Sequence, residues 1–245
     1  MEINPANTSI AVALAAGFLQ GLRHALDADH LVAVSTIVSE HKSLWRSSLI
    51  GTFWGLGHTV SLAVVSAIII LLRPTIPESA LPYLETPVAV MLVALGVGAI
   101  WRAVRDGGWK IHTHTHTHDQ SRHSHVHLHT HSDHQHSHHL IRLGRRPFLV
   151  GVVHGLAGSA VVTLAVVAAI PSVALGFVWL LVFGVGTIGG MLLMSAAISL
   201  PFVLTARRFS TINGAIRVLA GLFSVALGLL IAWEIFGAVK NAAVG

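Results

Sequence analysis

The sequence of 245 residues contains no cysteine and a single tyrosine. Without cysteine there is no disulfide and no thiolate metal ligand, and the redox compartment is not legible. The four methionines are scattered, which argues against a soft thioether site. Charge is scarce as well: Asp, Glu, Lys and Arg make up 10% of the chain, against roughly 25% in soluble domains. The P-loop pattern G-x-x-x-x-G-K-S/T is missing, which excludes ATP binding of that kind. The opening MEINPANTS lacks the basic stretch of a cleaved signal peptide, so the first apolar segment is expected to stay with the chain.

What is abundant is apolar. Hydrophobic residues make up 53% of the sequence and the mean hydropathy is +0.74. Several apolar stretches exceed the ~20 residues a helix needs to cross ~30 Å of hydrocarbon. They do not alternate as the strands of a closed barrel do, which leaves helices as the spanning element. The expected fold is an all-α integral membrane protein of about six transmembrane helices, near 10–37, 48–72, 84–105, 147–170, 174–205 and 215–238. The first and fifth stretches are longer than one crossing requires. Gly21 and the segment Gly184–Gly190 are their expected break points. Gly17, Gly21, Gly51, Gly55, Gly186 and Gly190 are also spaced for close helix packing, and are expected to fix helix approach.

Residues 106–146 differ in kind. Of the 18 histidines, thirteen fall here: His112, His114, His116, His118, His123, His125, His127, His129, His131, His134, His136, His138 and His139. Nothing in this composition forms a packed core, so a disordered loop is expected. Its His-Thr repeats can hold several imidazole-loving ions, and the loop reads as a metal buffer or sensor.

The two halves flanking the loop resemble each other. GFLQGLRHAL at 17–26 matches PFLVGVVHGL at 147–156, which sets His24 against His154. Gly55 and Gly57 correspond to Gly184 and Gly186, and Val-Ala-Leu-Gly at 93–96 recurs at 225–228, followed in each copy by a tryptophan (Trp101, Trp233). The offsets are 130, 129 and 132 residues. An odd number of spans per copy inserts the second copy from the opposite face. The expected organisation is therefore two inverted three-helix repeats, 1–105 and 147–245, a transporter architecture with its site near the bilayer midplane.

Lys and Arg set the orientation. One face would hold Lys42, Arg46, Arg102, Arg105, Lys110, Arg122, Arg142, Arg145, Arg146, Arg207, Arg208 and Arg217, the other only Arg73 and Lys240. By the positive-inside bias the His-rich loop is expected in the cytoplasm and both termini outside. The basic balance reports topology and gives no support to nucleic-acid binding.

The chemistry concentrates in His24-Ala-Leu-Asp27-Ala-Asp29-His30, inside the first apolar segment. A central Asp costs ~2.5–3.5 kcal/mol on the insertion scale, so such a cluster implies function. On a regular helix His24, Asp27 and His30 share a face and Asp29 points elsewhere unless the helix unwinds. Nitrogen and oxygen donors without sulfur suit Ni²⁺, Co²⁺ and Zn²⁺. The bland alternative is an ion-pair network between Arg23 and the carboxylates that only joins helices.

His24, Asp29 and His30 match the H-x-x-x-x-D-H motif, and in this the chain resembles the nickel/cobalt transporter family, including its urease-associated membrane branch. Asp27 is usual at its position in that motif. Gly-Leu-Gly-His-Thr at 55–59 resembles the family's second motif, which brings in His58, and the segment at 154–159 resembles the second-half motif of the six-span branch, which brings in His154. The longer family members have more spans and no such loop, while His-rich loops occur in related exporters.

The resemblance implies a transporter of Ni²⁺ or Co²⁺, not an enzyme, with no prosthetic group. Uptake across the cytoplasmic membrane is the favoured direction. A metallochaperone or metalloenzyme is a compatible delivery partner. Export of the same metals is the nearest rival reading. A membrane haem protein using His24 and His154, and an intramembrane zinc hydrolase, are the rivals from other classes.

Overall fold

A computed structural model describes residues 5–41, 43–72, 81–106, 112–118, 121–127, 139–156, 170, 172–205 and 209–244. Seven helices lie among them: α1 (Pro5–His24), α2 (Ala28–Val38), α3 (Leu44–Leu72), α4 (Leu81–Asp106), α5 (His139–Gly155), α6 (Val173–Thr205) and α7 (Ser210–Val244). Four of these carry windows long and apolar enough to cross a membrane: Leu44–Ile68, Thr86–Arg105, Val173–Thr205 and Thr211–Lys240. Ile10–His24 and Ala28–Val38 are shorter apolar helices. Among the described residues the apolar segments are thus all helical, and leucines and valines on the outer helix faces remain exposed, as lipid contact requires.

The first apolar segment breaks, but not at Gly21. Helix α1 runs on to His24 and α2 begins at Ala28. Asp27, the residue preceding α2, is extended (φ −61°, ψ 146°) and occupies the helix N-cap, a position Asp favours. Gly21 instead lies within α1 because it must pass the Phe183 carbonyl of α6; a Cβ there would collide with backbone. The fifth segment does not break. Helix α6 is continuous over 33 residues, and Gly184, Gly186 and Gly190 serve close packing.

Small residues place the helices. Gly186 of α6 abuts the Phe18 carbonyl of α1, Gly57 of α3 the Phe148 carbonyl of α5, and Gly151 of α5 the Trp54 carbonyl of α3. Gly55 of α3 meets Ile188 of α6, while Gly184 of α6 meets Thr59 of α3. Between α4 and α7, Gly96 meets the Gly221 carbonyl and Gly228 the Ala89 carbonyl, and the Ser224 hydroxyl donates to the Leu92 carbonyl at 2.7 Å. Association inside a bilayer relies on such close backbone approach, because lipid supplies no hydrophobic drive between helices. The buried core runs through Ala33, Val34, Ile37, Ile50, Trp54, Leu92 and Met191. Helix α2 packs against α4, α6 and α7, so the broken segment ends in the protein interior.

The His-rich segment contains more than loop. Residues His112–His118 (β1) and Ser121–His127 (β2) pair antiparallel, with His112 opposite His127, His114 opposite His125 and His116 opposite His123. His-Thr alternation has the period of a strand, and β-branched Thr favours one. Helix α5 also begins at His139, earlier than the span boundary expected at 147. His129, His131, His134, His136 and His138 lie outside the described residues, as does most of the fourth span beyond Leu156.

Candidate metal centre

The break in the first segment brings its polar residues to one place. His24 occupies the last turn of α1 and His30 the first turn of α2. His58 faces them from α3 and His154 from the last turn of α5. The side chains of His30, His58 and His154 are fully buried.

Hydrogen bonds fix the rings. His30 Nδ1 lies 2.8 Å from the His24 carbonyl, to which it can only donate. That bond sets the tautomer and leaves Nε2 with a lone pair. His30 Nε2 is buried without a hydrogen-bond partner, as are His58 Nδ1, His154 Nδ1 and Trp54 Nε1. His24 Nδ1 bonds Asp27 Oδ2 at 2.8 Å, and its Nε2 lies 3.0 Å from His58 Nε2. Asp29 uses one oxygen to accept the His30 backbone N–H at 2.9 Å and the other to meet His154 Nε2 at 2.9 Å. The first bond satisfies an orphan amide at the start of α2.

The geometry therefore sorts the residues singled out in the sequence. Two groups converge closely enough to hold one ion each: His24, His30 and His58, and Asp29, His30 and His154, with the donor atoms of each group within 4.8 Å of one another. Asp27 stands outside both. Its carboxylate, half exposed at 49%, holds the outer nitrogen of His24, the arrangement by which a carboxylate orients a metal-binding imidazole. With that carboxylate so engaged, Asp27 makes no side-chain cap on α2. The alternative of an Arg23 ion-pair network is not what forms. Arg23 is exposed, and the carboxylates pair with His24 and His154.

Two aromatic residues that sequence reasoning passed over wall the cluster. Trp54 packs its ring 5.8 Å from that of His154 and 6.4 Å from that of His30, and Phe183 lies 5.5 Å from His24. Trp54 is one helical turn before His58, a spacing that could have flagged it. The His30 ring packs against both residues expected as haem ligands, with ring centroids 4.7 Å from His24 and 4.2 Å from His154.

Beyond α2 the chain carries charge. Glu40 pairs with Arg102 and, at 4.0 Å, with Arg146. Burial holds the neighbouring His41 imidazole below its ordinary pKa, with Arg46 and Arg146 adding to the effect and Glu40 opposing it.

The family model described as a high-affinity nickel-transport protein matches residues 10–241, nearly the whole chain. The chain belongs to this nickel-transport family. It is also 38% identical over 216 residues to a urease accessory protein, UreH, from Bacillus sp. (strain TB-90), covering 88% of each chain. No solved structure matches it. Membership makes it a membrane transport protein and not an enzyme, which removes the hydrolase reading. The nickel-transport family thus supplies the cargo class, and the geometry supplies the residues that could bind it.

Proposed function

We propose that the chain takes up Ni²⁺ across the cytoplasmic membrane through a site made by His24, Asp29, His30, His58 and His154, with Asp27 orienting His24 and with Co²⁺ as a second cargo. The observation that carries this reading is the buried, unpartnered His30 Nε2 at the meeting point of the other donors. A buried polar atom without a partner costs free energy, and at membrane depth the neighbouring carboxylates cost more. A cation that accepts these lone pairs explains why they are there. A doubly charged ion entering a negative interior gains ~4.6 kcal/mol per 100 mV, twice the single-charge figure, which favours uptake without ATP.

Two related halves, as the proposed organisation of six spans in two inverted repeats requires, are supported by the way glycine contacts pair up. Adding 129–130 residues converts one contact into another: Gly21 against Phe183 becomes Gly151 against Trp54, with the partners exchanging halves. Phe18 against Gly186 becomes Phe148 against Gly57, and Gly55 against Ile188 becomes Gly184 against Thr59. At an offset of 132, Gly96 against Gly221 becomes Gly228 against Ala89, and Ser224 meets its own counterpart, Leu92. A two-fold axis between halves produces this reciprocity, as in an isologous interface. The Lys/Arg asymmetry favours a cytoplasmic His-rich segment and external termini. That segment is proposed to buffer metal there, ahead of delivery to a metallochaperone or metalloenzyme.

The test is radiolabelled nickel uptake by cells expressing His30→Ala, His24→Ala or Asp29→Ala at matched membrane levels. Uptake should fall to background in each. Near-normal uptake by His24→Ala and His30→Ala would leave the cluster a structural one. The histidine-rich segment keeps export alive as a second reading, and oriented vesicles loaded on one side separate the two directions.

A further inference from the structure

We infer that the site offers one divalent ion two overlapping positions that cannot be filled together, and that His30 passes the ion between them. The inference rests on the metal-site reading above. Its basis is the donor arithmetic at His30. The two groups of donors share His30, and His30 has one nitrogen to give, because Nδ1 is committed to the His24 carbonyl. One lone pair binds one metal, so an ion held by His24, His30 and His58 excludes an ion held by Asp29, His30 and His154.

Each position already has one edge at coordination spacing. Two donors about 2.0–2.1 Å from one ion stand about 2.9–3.4 Å apart for angles between square and tetrahedral. His24 Nε2 and His58 Nε2 are 3.0 Å apart, and Asp29 Oδ2 and His154 Nε2 are 2.9 Å apart; each pair shares a proton, which an ion bound between the two atoms would displace, to the ring's other nitrogen or to solvent. The positions differ in chemistry. The first offers three neutral imidazoles, and the second two imidazoles and a carboxylate, which offsets part of the ion's charge. They differ in support as well. The first draws on α1, α2 and α3 alone, beside Phe183 of α6. The second recruits His154 from α5, beside Trp54. Moving the ion from one to the other therefore changes which helices it ties together, with His30 bound throughout.

The test uses the full chain in lipid nanodiscs with its thirteen loop histidines replaced by Asn, so that Co²⁺ reports the membrane site alone. Co²⁺ stoichiometry and X-ray absorption are measured for this parent and for His58→Ala, His154→Ala and His30→Ala; if an alanine variant loses the fold by size exclusion, Gln replaces Ala. The parent should bind one Co²⁺. His58→Ala should retain one with two imidazoles and a carboxylate oxygen, and His154→Ala should retain one with three imidazoles, while both lose uptake. His30→Ala should bind none. Two Co²⁺ in the parent, or a bound Co²⁺ in His30→Ala, would overturn the sharing of His30. Loss of Co²⁺ in both His58→Ala and His154→Ala would mean one merged site, overturning the inference and leaving the nickel-site reading intact. A parent that binds no Co²⁺, together with normal nickel uptake by His30→Ala, would bring down the site reading itself.

Discussion

Removing Asp27 separates an orienting carboxylate from a metal ligand. On a regular helix Asp27 would share a face with His24 and His30 and would be expected to bind the ion directly. The break after His24 changes its part: Asp27 Oδ2 sits 2.8 Å from His24 Nδ1 and belongs to neither group of converging donors. Loss of a partner behind a metal-binding imidazole costs about 10–100-fold in affinity or activity, or about 1.4–2.8 kcal/mol. Asp27→Ala should therefore raise the nickel concentration for half-maximal uptake by that factor while leaving the maximal rate recoverable at high nickel. Asp27→Asn keeps an oxygen that accepts from His24 and loses only a half-exposed charge, so its effect should be a few-fold, about 1 kcal/mol or less. Concentration-dependent uptake of radiolabelled nickel, at matched protein in the membrane, resolves the three cases. If Asp27→Ala falls to the background of His30→Ala at every nickel concentration, Asp27 binds the ion and the orienting role is wrong.

Removal of residues 112–139 should leave nickel transport largely intact and alter the metal content of the cells; transport abolished in a protein that still inserts would make the segment part of the path. Gly21→Leu and Gly151→Leu should each lower the amount of folded protein, by overpacking that costs typically 1–3 kcal/mol, and should do so comparably, since both glycines abut a carbonyl across matched helix pairs; fluorescence-detected size exclusion reads the loss, and a harmless Leu at either position counts against that packing. A reporter inserted within 112–139 should be active only as a cytoplasmic fusion; activity on the external face alone would invert the proposed orientation.

Much of the candidate site was legible because polar residues are conspicuous in an apolar run. His24, Asp29 and His30 stand out in an apolar run, and His58 and His154 follow from motif and repeat. The division of labour among them was not legible, because it depends on where one helix ends. Gly21 has the weaker local preference for helix, yet the backbone breaks at 25–27, since tertiary packing needs a residue without Cβ beside Phe183, and the extended Asp27 turns its carboxylate back to His24. Gly186 and Gly190 pack closely against α1, as their spacing led one to expect, but the break expected between Gly184 and Gly190 does not form, because α6 is continuous there. The strand period of β1 was written in its His-Thr alternation and that of β2 in histidines at every second position, a period that composition averaged over the segment conceals.

The halves match in their packing and differ in their donors, and that contrast bears on how the protein could work. His24 has its counterpart in His154, and the Trp54 ring beside His154 corresponds to the Phe183 ring beside His24. The position matching His58 is Thr187, buried and bonded to the Phe183 carbonyl at 3.0 Å. The positions matching Asp27, Asp29 and His30 are Ala157, Ser159 and Ala160. A cluster doubled by symmetry would bring two sets of carboxylates to membrane depth, each Asp at ~2.5–3.5 kcal/mol. With one set, a single histidine from the second half would suffice to link an ion in the proposed site to both halves. In that site His154 would be the donor through which movement of one half against the other is felt at the ion. On that argument His154→Ala should leave the first repeat's three imidazoles able to bind nickel while uncoupling binding from transport, a split that uptake and binding measured on the same variant would reveal.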